Sequence, residues 1–129
     1  KPSPDATRFE EGSYNSVGLY GLGAAIDLLL EIGMPNIEQR VLDLTDQLIE
    51  GLRSKGYRLL TPTEESERSG IVVFESDYHS PAALCERLRQ ENVISAERGG
   101  VRLSPHFYNS EGEMEQVLDL LTLDSSSYH

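Results

Sequence analysis

The chain has 129 residues, 22 acidic against 11 basic side chains and a net charge of −11, with 38% hydrophobic residues. That length suits one domain with its own core, and the surplus of negative charge opposes phosphate backbones, so no nucleic-acid partner is expected. The apolar runs are too short to span a bilayer, no basic-then-apolar leader opens the chain, and the single cysteine, Cys85, cannot close an internal disulfide; the expectation is a cytoplasmic chain with no membrane partner.

In chain order, the proline-rich start KPSPDAT predicts an extended segment over residues 1–15. From Ser16 to about Ile32, Leu22, Ala25, Ile26, Leu29 and Ile32 follow helical spacing, with Gly33 as a stop and Pro35 beyond it. Asn36 and Gln39 fit a capping box for a second helix, whose stripe is Ile37, Val41, Leu44, Leu48 and Leu52 and whose end is Gly56. YRLL (Tyr57–Leu60) and GIVVFES (Gly70–Ser76) predict strands on either side of a glutamate-rich loop. Ser80 and Pro81 open a helix to about Glu91, with Leu84 and Leu88 facing inward. VISAER and GVRLSP predict a hairpin turning at Gly99–Gly100. Ser110 and Glu113 form a capping box for a last helix carrying Met114, Val117, Leu118 and Leu121 on one face. Residues 124–129 predict a disordered tail. The fold class is therefore α+β: a helix pair, then a small, mainly antiparallel sheet with helices packed on one face.

Few residues suggest chemistry by themselves. GLYGLG (Gly18–Gly23) lacks the spacing and the preceding strand of a dinucleotide loop, so its glycines predict close packing of a helix. His79, His106 and His129 are widely separated, so no metal site is expected. Cys85 lies in an amphipathic helix beside Leu84 and Leu88, which predicts buried packing and not nucleophilic duty. Arg102 sits at the end of a short strand before the polar turn SPHFYN. Its guanidinium reads either as an ordinary surface charge or as a fork for a carboxylate. Ser13 follows Gly12 just before a helix, where a hydroxyl either caps the helix or meets a phosphate.

Read together, RFEEGSYN (Arg8–Asn15) and GVRLSPHFYNSEGEMEQVLDLL resemble the C-terminal small domain of class V, fold-type I aminotransferases that depend on pyridoxal phosphate (PLP), a group that includes cysteine desulfurases and isopenicillin-epimerase-like proteins. The resemblance runs from about Arg8 to Leu121 and implies residues 1–15 as a linker and cofactor-phosphate segment, 16–123 as the small domain and 124–129 as the tail. It implies that Gly12 and Ser13 contact the cofactor phosphate of a neighbouring subunit, Ser13 standing where the family has threonine and Tyr14 where it has proline. It implies that Arg102 binds the α-carboxylate of an amino-acid substrate, while Ser104, His106, Tyr108 and Asn109 build a turn; no catalytic residue is assigned. The partners implied are the large PLP-binding domain of the same protein and a second copy in a homodimer.

PLP chemistry needs a lysine to hold the cofactor, and the lysines here, Lys1 and Lys55, match no motif of the family. The chain on its own is therefore expected to bind no PLP and to be inactive. The desulfurase branch places a reactive cysteine in a loop before the arginine; ERGGVR has none, so transamination, epimerisation or another amino-acid transformation is expected over persulfide chemistry. The alternative from another class is a free-standing ferredoxin-like module that binds a small molecule or regulates.

Overall fold

The computed structural model describes residues 4–5, 12, 14–64 and 66–121. The order is α1 (Ser16–Ile32), α2 (Met34–Ser54), β1 (Arg58–Leu59), β2 (Val72–Glu75), α3 (Pro81–Gln90), β3 (Ala96–Glu97), β4 (Val101–Leu103) and α4 (Glu111–Leu120). The chain divides into two compact units, Lys1–Met34 and Pro35–His129.

In the first unit, the side chain of Asn15 accepts from the Gly18 N–H and caps α1, and Gly33 closes it at φ 89°. None of the residues of α1 is buried, and a Cβ added at Gly21 or Gly23 would meet nothing within 4 Å. Gly18 does allow a close approach, since a Cβ there would run into the side chain of the capping Asn15, whereas Gly21 and Gly23 meet no neighbour among the described residues.

The second unit holds the core. Helix α2 begins at Met34, two residues before the expected Asn36 cap; Asn36 lies within the first turn, and the Gln39 amide donates to Asp43 at 2.8 Å. Proline costs nothing in a first turn because its missing N–H has no intrahelical partner there. The far end of α2 is closed by a left-handed Gly56 (φ 82°), with the Tyr57 N–H on the Leu52 carbonyl and the Gly56 N–H on the Arg53 carbonyl, both at 3.0 Å. This double bond pattern satisfies two carbonyls that the helix leaves free. It also explains why β1 is shorter than YRLL, since the Tyr57 N–H belongs to the helix end. Helix α3 ends the same way through Asn92 (φ 61°), with the Val93 N–H on the Leu88 carbonyl at 2.9 Å, which takes Val93 out of the expected strand VISAER; β3 is Ala96–Glu97.

The sheet order is β1-β2-β4-β3, every pairing antiparallel. Register puts Val72 opposite Leu103 and Phe74 opposite Val101, and all four are buried. Side chains alternate along a strand, so this face meets the stripe of α2 (Leu44, Leu48, Leu52), Leu84 and Leu88 of α3, and Met114, Val117, Leu118 and Leu121 in and just after α4, in one core cluster. Within this unit α2, α3 and α4 lie on one face of the sheet, as expected. Cys85 is half-buried against this core, less enclosed than expected. The opposite face carries the paired Arg58 and Glu75, then Val73, Arg102 and Ala96. The expected tail at 124–129 lies outside the described residues, as does most of the 1–15 segment.

Candidate functional site

Arg102 sits in the middle of β4, between buried Val101 and buried Leu103, so its side chain emerges on the face away from the helices. Ladder partners on both sides, Val73 on β2 and Ala96 on β3, fix its backbone. Two short side chains flank it, and neither can pair with a charge. The other described arginines all have polar partners. Arg40 meets Glu111, Arg58 meets Glu75, Arg68 meets Asp46 and Arg89 meets Glu86. Arg53 donates to the Thr63 hydroxyl, Arg98 to the Glu97 carbonyl, and Arg87 is also engaged. Arg102 alone among the described arginines has no hydrogen bond or ion pair, although it is half-buried and the chain carries twice as many acids as bases. A guanidinium offers five donors in a planar fork, and here the fork is unoccupied by protein.

Residues 102–105 of β4 and the turn after it border a cleft of about 700 Å³ whose lining also takes in residues 91–96, Tyr108, Asn109 and, from the helix side, Leu48, Glu113, Met114 and Val117. Asn109 builds that turn. Its Oδ1 accepts from the His106 N–H at 2.8 Å, and its own N–H donates to the His106 carbonyl at 2.9 Å. From α2, Arg40 donates to the Asn109 carbonyl at 2.8 Å and holds both oxygens of Glu111, the first residue of α4. The Arg40 hydrogen bonds push the Glu111 carboxyl down to about 2. Behind the turn, Ser110 and Glu113 form the expected capping box; the Ser110 N–H, with Asn109 and the Ser110 hydroxyl, holds the Glu113 carboxyl below its ordinary value. The Arg40 tie escaped the sequence reading, because it joins residues 71 positions apart with no motif between them. The hairpin before β4 is tight. Glu97 faces Val101 in the ladder, and Gly99 adopts φ 70° between them.

Of the expected cofactor-phosphate pair, Gly12 has a left-handed φ of 96° and open space where a Cβ would lie. Ser13 lies outside the described residues. Gly12 belongs to the first unit and Arg102 to the second. Among the described residues Lys55, in the turn after α2, is the sole lysine, and no cluster of three metal-ligating side chains occurs.

Comparison with known proteins accords with these features. The aminotransferase class-V family model matches residues 3–117. An uncharacterised aminotransferase, YcbU of Bacillus subtilis (strain 168), is 31% identical over 115 residues, covering 88% of this chain and 30% of that protein. A cysteine desulfurase of Yersinia pseudotuberculosis is 40% identical over 73 residues, 56% of this chain and 17% of that protein. In structure, the apo cysteine desulfurase of Thermococcus onnurineus NA1 superposes with a TM-score of 0.83 at 26% identity, over 89% of this chain and 32% of that one. The cystine C-S lyase C-DES, solved with cysteine persulfide and, in another structure, with glycine covalently linked to its PLP cofactor, shares the fold at a TM-score of 0.75 and 23% identity, over 87% of this chain and 30% of its own. The chain thus spans about a third of the length of these larger relatives. With the family model matched along nearly its whole length and the sheet superposing on a desulfurase, this chain belongs to the aminotransferase class-V family.

Proposed function

We propose that this chain is the C-terminal small domain of a dimeric, PLP-dependent enzyme that transforms amino acids, as an aminotransferase or an epimerase-like protein does. In that enzyme Arg102 takes the α-carboxylate of the substrate. The observation that carries the reading is the unpaired, half-buried guanidinium, held by a three-strand ladder on the sheet face away from the packed helices. A bidentate fork of this kind binds and orients a carboxylate, and orientation of the reacting bond is a large part of catalysis. Arg102 is assigned to substrate binding, with no catalytic role.

The residues fit PLP in part. A glycine in left-handed conformation with free space around it, followed by a hydroxyl at Ser13 and the capped start of α1, suits a phosphate, because backbone N–H groups at a helix start attract anions. When bound, PLP supplies the electron sink for chemistry at the substrate α-carbon. The lysine that anchors it is not matched by Lys1 or Lys55, so the reading assigns that lysine to the rest of a longer parent, and the isolated chain to an inactive state. In the dimer, Gly12 and Ser13 serve the phosphate bound by the other subunit.

The test is amino-acid and PLP binding in the full-length parent. Arg102→Ala and Arg102→Lys are expected to weaken the amino acid while PLP stays bound, by about 2–5 kcal/mol for the alanine variant if the carboxylate is left buried without a partner. Lysine keeps the charge but loses the fork, so it rescues poorly. Unchanged amino-acid affinity in both variants overturns the assignment. Ser13→Ala is expected to loosen PLP by about 1 kcal/mol, the scale of one hydrogen bond. Unchanged PLP affinity with a lower melting temperature makes Ser13 a helix cap instead.

A further inference from the structure

On the sheet face away from the helices, the described strand residues include two arginines, Arg58 and Arg102, and one acid, Glu75. Glu97, the other strand acid, pairs with buried Val101 and so belongs to the opposite face. Register decides which arginine Glu75 meets. Arg58 stands directly across the β1–β2 ladder from it, and the two form an ion pair. Arg102 stands across the β2–β4 ladder from Val73, so Glu75, two residues further along β2, is its diagonal neighbour on the same face. Direct ladder partners lie about 5 Å apart and diagonal ones about 7–8 Å, a gap that long side chains still span. The residues directly across from Arg102, Val73 and Ala96, carry no charge.

The pair is unequal in exposure: the Glu75 side chain is 24% exposed and the Arg58 side chain 63%. Removing Arg58 leaves the more enclosed carboxylate without its partner, and an enclosed charge without a partner is costly. The other strand cation on this face is Arg102, which has no hydrogen bond or ion pair of its own. Gly100 continues the register to a place opposite Glu75, two residues before Arg102; it is buried and puts no side chain between them. Apolar atoms, Leu60 Cδ1 and Val73 Cγ1, lie 3.1 and 3.2 Å from where its Cβ would be. An ion pair beside such a strip is stronger than one in open water, because the surroundings are less polar.

We propose that Arg58 is a positioning residue: it holds Glu75 off Arg102 and so leaves that guanidinium open to a carboxylate from outside the chain. The use made of the opening rests on the reading of Arg102 as a substrate fork; the hold on Glu75 does not. The experiment compares the 129-residue chain with Arg58→Gln, Arg58→Lys and the double variant Arg58→Gln/Glu75→Gln, following exchange of the Arg102 Nε–H with water by NMR. Exchange is expected to slow about fivefold in Arg58→Gln, the upper end for one partly exposed ion pair. It is expected to return to the wild-type rate in Arg58→Lys, which keeps the cation, and in the double variant, which removes the competing carboxylate. Lost stability speeds exchange, so a merely structural role for Arg58 gives the opposite sign. In the full-length parent, Arg58→Gln is expected to weaken amino-acid binding about fivefold, and the added Glu75→Gln to restore it. An unchanged Arg102 signal in Arg58→Gln, or slow exchange that persists in the double variant, overturns the proposal and leaves the Arg102 reading untouched. Slowed exchange with unaltered amino-acid affinity upholds the hold of Arg58 on Glu75 and sinks the reading of Arg102 as the substrate fork.

Discussion

Arg102 shows how little of an arginine's role lies in its own identity. The chain has partners for its other described arginines, and the difference lies in neighbours: Arg58 has Glu75 across the ladder, while Arg102 has Val73 and Ala96. Gly100 marks the cost of setting β4 so close to β2. A Cβ there would lie 2.7 Å from the Phe74 carbonyl oxygen and 3.2 Å from Val73 Cγ1. A backbone oxygen in a ladder cannot swing aside, so Gly100→Ala is expected to destabilise the chain by about 1–3 kcal/mol, the range for forced overpacking. Urea unfolding checks it, and a loss near zero means the hairpin shifts freely. Glu111 gives a prediction in pH. Its hydrogen bonds to Arg40 lower the folded carboxyl from about 4.5 to about 2, so the unfolded chain takes up the proton first. The tie therefore contributes fully above about pH 4.5 and is lost as pH falls toward 2. The stability gap between wild type and Glu111→Gln is expected to be largest near neutrality and to close across that window, as read by urea titrations at several pH values.

At the scale of elements, the helix ends decide where the strands start. Both α2 and α3 close with the same pair of bonds around a left-handed residue, Gly56 in one and Asn92 in the other. Each closure commits the next N–H to the helix, which trims the strand that follows. The start of α4 is fixed more firmly, by a reciprocal capping box and by Arg40 on its first residue. Ser110→Ala is expected to cost about 1 kcal/mol, the usual loss for a capping hydroxyl. Because Asn109 and Ser110 adjoin, the same variant is expected to raise amide exchange in the 104–109 turn that walls the cleft. Unchanged exchange there, with stability lost only in α4, means the turn is held by Asn109 and Arg40 alone.

At the scale of the molecule, the buried residues among those described all lie between Ile37 and Leu121, inside the second unit. Apolar burial is the main favourable contribution to folding, so a chain lacking residues 1–33 is expected to unfold cooperatively, with an m-value close to that of the full chain. An m-value reduced in proportion to the missing length means the first unit unfolds with the second. The chain spans about a third of the length of the relatives it matches.

The element order, the helix faces and both ends of α1 were legible in the sequence, because apolar spacing, Gly33, Ser80 and the Ser110–Glu113 pair act locally, within a turn or two of chain. The Gly12, Ser13 and Arg102 assignments came from resemblance in two blocks, since single residues of those types occur on any surface. What the tertiary structure alone decided was which charges met. Spacing along the chain says nothing of Arg40 reaching Glu111, or of Arg102 emerging between Val73 and Ala96, because those neighbours are set by strand order and helix placement. Helix ends likewise overruled strand propensity at Tyr57 and Val93, where one N–H can serve only one carbonyl well and each is committed to a helix carbonyl.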